Sequence, residues 1–182
     1  MRLFVAIDCS ELKAHLTGQQ KPFYPLKARF TQSFHLTLKF IGDVEQNKLE
    51  TLVERLILAN VKPFTLSVNR LGTFTSYSQK VIWCGVQESN QLNILQSKVC
   101  EAIEGEGVIK KAYHPHITLA RIKKHQQLER QEKELLNREL KKEIKTESLK
   151  VDAFTLYESI ITKQGPVYRV IKKYPLGIWR DV

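Results

Sequence analysis

The chain has 182 residues, 42% hydrophobic and 26% charged, and its 29 Lys plus Arg against 19 Asp plus Glu leave a formal charge of +10. That composition excludes an acidic, disordered or fibrous protein and allows a core that removes roughly 70% of the unfolded surface from water. No apolar run approaches the roughly 18 to 20 residues of a membrane span, so neither a span nor a signal peptide is expected.

Cys9, Cys84 and Cys100 form no close pair and lie among apolar residues, which reads as buried thiols in a reducing, cytoplasmic setting. The basic excess favours a polyanionic partner such as nucleic acid or phosphate.

Residues 2–9 (RLFVAIDC) are rich in strand formers, and Ser10 can cap a short helix from Glu11. Residues 21–33, with two prolines and no clean period, read as an exposed loop leading to the strand FHLTLKFIG, which Gly42-Asp43 ends. From Glu45 to Asn60 the spacing of Leu49, Leu52, Val53, Leu56 and Ile57 predicts one amphipathic helix. Residues 63–74 and 80–86 read as a hairpin across a Ser/Tyr-rich turn. Leu92, Leu95, Val99 and Ile103 predict a helix that Gly105 and Gly107 stop, and the strand HITLARI follows.

Residues 124–147, highly charged with sparse leucines, predict a solvent-facing helix whose basic side chains read as a solvated face. Strands at 150–159 and 167–176, turned by Gly165-Pro166, close the chain. At least seven strands with three or four helices make an α+β fold. No glycine-rich phosphate loop follows a predicted strand, which disfavours the common nucleotide-binding folds.

The informative feature is a repeated motif. His35-Leu36-Thr37-Leu38 in the first half returns as His116-Ile117-Thr118-Leu119 in the second. With a side-chain period of two, each strand puts its histidine and threonine on one face and two aliphatics on the other. Either copy alone is an ordinary half-wet strand; two in the same register point to imidazoles and hydroxyls converging on one cleft. Paired imidazoles suit a reaction that removes a proton from a nucleophile and delivers one to a leaving group near neutral pH, as phosphodiester cleavage requires. Thr37 and Thr118 can then donate hydrogen bonds to nonbridging phosphate oxygens.

By the same parity Lys39 falls on the His35 face, where its charge can serve a phosphate. Arg121 falls with Ile117 and Leu119, away from His116 unless a bulge reorients it. Phe34, Phe40, Tyr157 and Tyr168 read mostly as core. His114 raises the question of a metal pair with His116, but Pro115 breaks the register and no further ligand set follows, so no metal is expected. His15 and His125 read as surface histidines on helices.

RLFVAID, FHLTLKFIGDV, YHPHITLARI and LYESIITKQGPVYRVIKKYPL, in this order over nearly the whole chain, resemble the two-histidine (2H) phosphoesterase superfamily. The closest resemblance is to its RNA 2′,3′-cyclic phosphodiesterase branch, also called 2′-5′ RNA ligase. The resemblance implies a single bilobal domain over 1–182: two pseudo-twofold-related antiparallel-sheet lobes, helices outside and a cleft between.

It also implies cofactor-free and metal-free hydrolysis of an RNA terminal 2′,3′-cyclic phosphate to a 2′-phosphate, with 2′-5′ joining in some relatives. No membrane and no obligate protein partner are implied. His35 matches the histidine that acts as acid and His116 the one that acts as base, while Thr37 and Thr118 match the phosphate-binding threonines. Arg121 resembles a recurrent family residue. RFTQSFH departs from a proline-bearing approach to the first motif. The alternatives are a noncatalytic RNA-end-binding module and a phosphodiesterase for a small cyclic nucleotide or a 2′-5′ oligonucleotide.

Overall fold

The structure, a computed structural model, describes residues 1–76, 78–105, 112–123, 126–163 and 165–178. The first strand, β1 (Arg2–Asp8), buries all five of its internal residues, so both of its faces are covered. Its Asp8 carboxylate accepts the backbone N–H of Ser10 at 2.9 Å. A 3-10 turn at Ser10–Leu12 then leads into α1 (Lys13–Gln20), so the residue expected as a helix cap instead donates to Asp8.

The segment expected as loop contains a two-residue strand, β2 (Arg29–Phe30), before β3 (His35–Asp43). The helix expected from Glu45 to Asn60 is α-helical only over α2 (Leu49–Arg55), with 3-10 turns on either side. The hairpin is β4 (Phe64–Thr75) and β5 (Gln79–Val86). The next helix, α3 (Asn90–Glu104), starts where the Ser89 hydroxyl accepts the Leu92 N–H at 3.3 Å and stops at Gly105, whose φ of 93° favours glycine. Gly107 lies outside the described residues.

After β6 (His116–Lys123), the charged segment forms α4 (Arg130–Leu140), far shorter than its composition predicts. A reciprocal cap between Glu129 and Glu132 fixes its start. Beyond it, Leu149 and Val151 alternate with exposed neighbours and enter the core, so Glu147–Val151 is a strand, β7. The chain closes with β8 (Ala153–Thr162) and β9 (Gly165–Pro175).

All pairings are antiparallel, in the order β7-β4-β5-β6-β3-β1-β8-β9, with β2 added beside β6. Two four-stranded lobes, β7-β4-β5-β6 and β3-β1-β8-β9, therefore meet where β6 touches β3. The helices cross that boundary: α1, which follows β1, packs on β6, and α3, which follows β5, packs on β3.

Only Asp152 separates β7 from β8, at positions far apart in the strand order. One residue bridges no more than about 7 Å between its neighbours, so the sheet curls to bring them together. The core lies on the helix side, where Leu36, Leu38, Ile117 and Leu119 are at most 2% exposed. All three cysteines are buried thiols.

Leu36 and Ile117 are the facing pair at the lobe boundary. Removing either side chain leaves a cavity in a site pinned from both lobes. Leu36→Ala or Ile117→Ala is expected to cost about 2–5 kcal/mol, read as a lowered midpoint in urea unfolding with an unchanged slope.

Candidate active site

Among the described residues, β3 and β6 share one ladder pair, Leu36 with Ile117. Both side chains point into the core, so the residues on either side of each point the other way. Continuing the antiparallel register by one residue brings His35 toward Thr118 and His116 toward Thr37. The two motifs thus interleave on one face, and all four polar side chains are half-buried. The imidazoles lie close enough for the charge of His116 to act on His35.

Each motif is followed by a β-bulge at the equivalent position. Along β1 and β3, Ala6 faces Thr37 but Val5 faces Lys39, leaving Leu38 as the extra residue. Along β5 and β6, Trp83 faces Thr118 but Ile82 faces Ala120, leaving Leu119 as the extra residue. An extra residue reverses the parity beyond it.

Lys39 therefore shares the core side with fully buried Val5 and forms an ion pair with Glu104 on α3, away from the histidines. Phe40 takes its place on the cleft face, 70% exposed and 6.0 Å from the Phe4 ring. In β6 the same shift sends Ala120 into the core and swings Arg121 onto the cleft face, where its charge acts on both imidazoles. Simple parity gave the opposite for Lys39 and Arg121, and Phe40 is not core. Phe40 and Arg121 occupy the same place, the fifth residue after each histidine.

The aromatic side chains build the walls. His35 lies 5.2 Å from the Phe4 ring and 5.0 Å, edge to face, from that of Tyr168. Tyr157 stacks on Phe4 at 5.2 Å. Only Phe34 of the four aromatics expected in the core is fully buried there.

His116 meets Phe74 at 4.9 Å, edge to face, with Trp83 beyond. Gly72 makes that wall possible, because a Cβ there would stand 2.2 Å from Trp83 carbons. Sequence reading missed Phe4, Phe74 and Trp83, which carry no local signal beyond strand propensity. It also missed Arg29, which pairs with Arg121 across β2 and β6 and lays its guanidinium against Gly165.

The Nδ1 atom of His116 donates to the His114 carbonyl oxygen at 2.7 Å, since a carbonyl can only accept. That fixes the tautomer and leaves Nε2 with its lone pair available. His114 contributes this backbone oxygen, while the residue itself is exposed. Among the described residues no three His, Cys, Asp or Glu side chains converge as metal ligands. His15 is half-buried on α1, and His125 lies outside the described residues.

Burial pushes both catalytic-type imidazoles toward the neutral form. His35 falls to about 4, chiefly through burial and then the Arg121 charge, with Asp8 opposing. His116 is lowered by burial and by Arg121 against the His114 hydrogen bond, which raises it. Arg121 is itself lowered by burial and by Arg29, with Tyr168 opposing. Removing a positive neighbour favours imidazolium. In Arg121→Gln the midpoints of both histidines are therefore expected to rise toward 6.5, read from the pH dependence of their ring proton shifts by NMR.

A profile of the 2′-5′ RNA ligase superfamily matches residues 12–160. An RNA 2′,3′-cyclic phosphodiesterase of Archaeoglobus fulgidus is 31% identical, the alignment covering 96% of this chain and 99% of the relative. The crystal structure of a Thermus thermophilus protein superposes with a TM-score of 0.75 at 25% identity, over 97% and 98% of the two chains. E. coli LigT complexed with 3′-AMP gives 0.74 at 26% identity, with the same coverage. Among the described residues no helix is long and apolar enough to cross a membrane. With the two-lobed antiparallel fold and a profile match over most of its length, the chain belongs to the 2′-5′ RNA ligase superfamily and is an enzyme of its RNA 2′,3′-cyclic phosphodiesterase family.

Proposed function

We propose that the protein opens the 2′,3′-cyclic phosphate at the end of an RNA to a 2′-phosphate, using His116 as base and His35 as acid. The observation that carries the reading is the interleaving of the two His-x-Thr motifs on one face around Leu36 and Ile117. The relatives named RNA 2′,3′-cyclic phosphodiesterase and the LigT complex with 3′-AMP support it.

In this reaction Nε2 of His116 takes a proton from water as the water oxygen bonds to phosphorus. The bond from phosphorus to the 3′ oxygen breaks, and His35 delivers its proton to that oxygen, leaving a 3′ hydroxyl and a 2′-phosphomonoester. The hydroxyls of Thr37 and Thr118 donate to the nonbridging oxygens, and Arg121 balances their charge. The carbonyl of His114 holds His116 in the tautomer a base needs. Phe40 offers an exposed ring for stacking of the terminal base. No step calls for a metal ion.

The protonation states set the pH dependence. His116 must be neutral, and its lowered value keeps it so down to below pH 6.5. His35 must be protonated, yet in the free protein, where its value falls to about 4, it is mostly protonated only below that pH. An anionic phosphate beside it favours imidazolium, so binding raises its value. The maximum of kcat/KM, which reports the free enzyme, is thus expected below pH 6.5, and that of kcat at higher pH. Coincident maxima would contradict the coupling.

The direct test supplies an RNA oligomer ending in a 2′,3′-cyclic phosphate and identifies the phosphomonoester formed. His35→Ala and His116→Ala are each expected to lose about 10²- to 10⁴-fold in kcat with the fold retained, and the wild-type rate is expected to survive EDTA. An undiminished rate in either variant, or a rate lost to chelator and restored by one metal, defeats the assignment. Phe40→Ala is expected to raise KM more than it lowers kcat, because stacking on a base remote from phosphorus is uniform binding.

A further inference from the structure

A cavity of about 370 Å³, separate from the histidine cleft, lies at the far end of the first lobe, between the tip of the β4–β5 hairpin, the end of β6 and α4. Its position follows from the pairing. Thr75 faces Lys80 and Lys80 faces Ile122, so these three share the core side of the sheet's end. There α4 closes over them with Lys133, Leu136 and Asn137.

Lys123 lies two residues beyond Arg121, on the cleft side of the same strand, and also lines the cavity. Lys123 thus links the pocket's lining to the cleft side of the sheet's end. Measured along β6, its rim is about 16 Å from Thr118, a distance of a few nucleotides.

Among the described residues that line it, the charge has one sign. Lys80, Lys123 and Lys133 are present without a carboxylate, and none of the three forms an ion pair among the described residues. Ile122, Leu128 and Leu136 supply an apolar floor, with side-chain amides around it. Apolar surface, amides and unpaired ammonium groups together suit a nucleoside phosphate, the base on the floor and the phosphate on the lysines.

The other end of the cleft differs: Phe40 is exposed there, and the nearby Lys39 is already neutralised by Glu104. A polyanion leaving the histidines in the direction of Arg121 meets Lys123, Lys80 and Lys133 in turn.

We infer that this pocket is a second nucleotide subsite, holding an upstream nucleotide of the RNA whose terminal phosphate lies between the histidines. The inference rests on the RNA-end reading above and adds to it the direction of the strand and a preference for length. RNA runs from the terminal base near Phe40, past Arg121, around the end of β6 and into the pocket.

The test measures equilibrium binding by fluorescence anisotropy, using 5′-labelled oligoribonucleotides of two and eight residues that end in a 2′-phosphate. The wild-type protein is expected to bind the eight-mer at least tenfold more tightly. Lys80→Gln combined with Lys133→Gln is expected to remove most of that ratio and to flatten the salt dependence of eight-mer binding by about 1.4 in log–log slope, two ammonium groups at about 0.7 each. Lys80→Arg with Lys133→Arg is expected to restore both, which separates lost charge from lost folding.

An eight-mer bound no more tightly than the two-mer, or a ratio unchanged in the glutamine pair, overturns the proposal. So does AMP binding that the glutamine pair abolishes in the absence of a length effect, which would give the pocket to a free nucleotide. Wild-type protein that keeps the length effect but leaves the cyclic phosphate intact would instead defeat the cyclic phosphodiesterase reading and leave the subsite standing.

Discussion

The site depends on one pair of buried aliphatic side chains, Leu36 and Ile117, at the joint between two sheets. Each histidine and threonine points to the cleft because Leu36, Leu38, Ile117 and Leu119 point to the core. Slipping both strands by one residue would exchange the two sets. At about 1.5–3 kcal/mol for each buried aliphatic, the four together contribute about 6–12 kcal/mol, comparable to the entire net stability of a domain. The register is therefore not adjustable, and the positions of the polar groups follow from residues that never meet a ligand. The helices reinforce the joint, since α1 and α3 each pack on the motif strand of the opposite lobe.

What the sequence made legible was the part governed by simple periodicity. The alternation of His-x-Thr with aliphatics placed four side chains on one face, and the repeat of the pattern implied two related lobes. What escaped was the part governed by departures from periodicity. Leu38 and Leu119 are ordinary strand residues, and nothing in their chemistry marks them as unpaired, yet the bulges there reverse the parity of Lys39, Phe40 and Arg121.

Other misses share that character. The two residues of β2 lie in a segment that looks like a loop because their partners come from β6, remote in sequence. The helix expected over 124–147 and the strand expected over 150–159 leave Glu147–Val151 without recognition as a strand of its own, although Leu149 and Val151 alternate with polar neighbours. In α2 the apolar spacing was read correctly, but only seven residues are α-helical.

The near-symmetry of the lobes makes its breaking informative. Histidine, threonine and bulge coincide between β3 and β6, so the backbone offers equivalent positions at the fifth residue, and the chain fills one with Phe40 and the other with Arg121. A symmetric cleft would hold a phosphate equally well in two orientations. An exposed ring at one end and a guanidinium at the other make the two ends chemically distinct, a polarity that a nucleotide ending in a cyclic phosphate matches under the proposed function.

The electrostatics give the asymmetry its energetic meaning. Arg121 is half-buried with no carboxylate partner among the described residues, beside two imidazoles that burial keeps neutral. Leaving a cation partly desolvated without a counterion costs stability, and a carboxylate nearby would remove that cost. It would also fill the place of an anion. Among the described residues no carboxylate pairs with Arg121, and under the proposed function a phosphate takes that place and favours a proton on His35. In the free protein burial and the Arg121 charge outweigh the nearby Asp8 carboxylate at His35, so under the proposed function binding of the anion and protonation of the acid are one event.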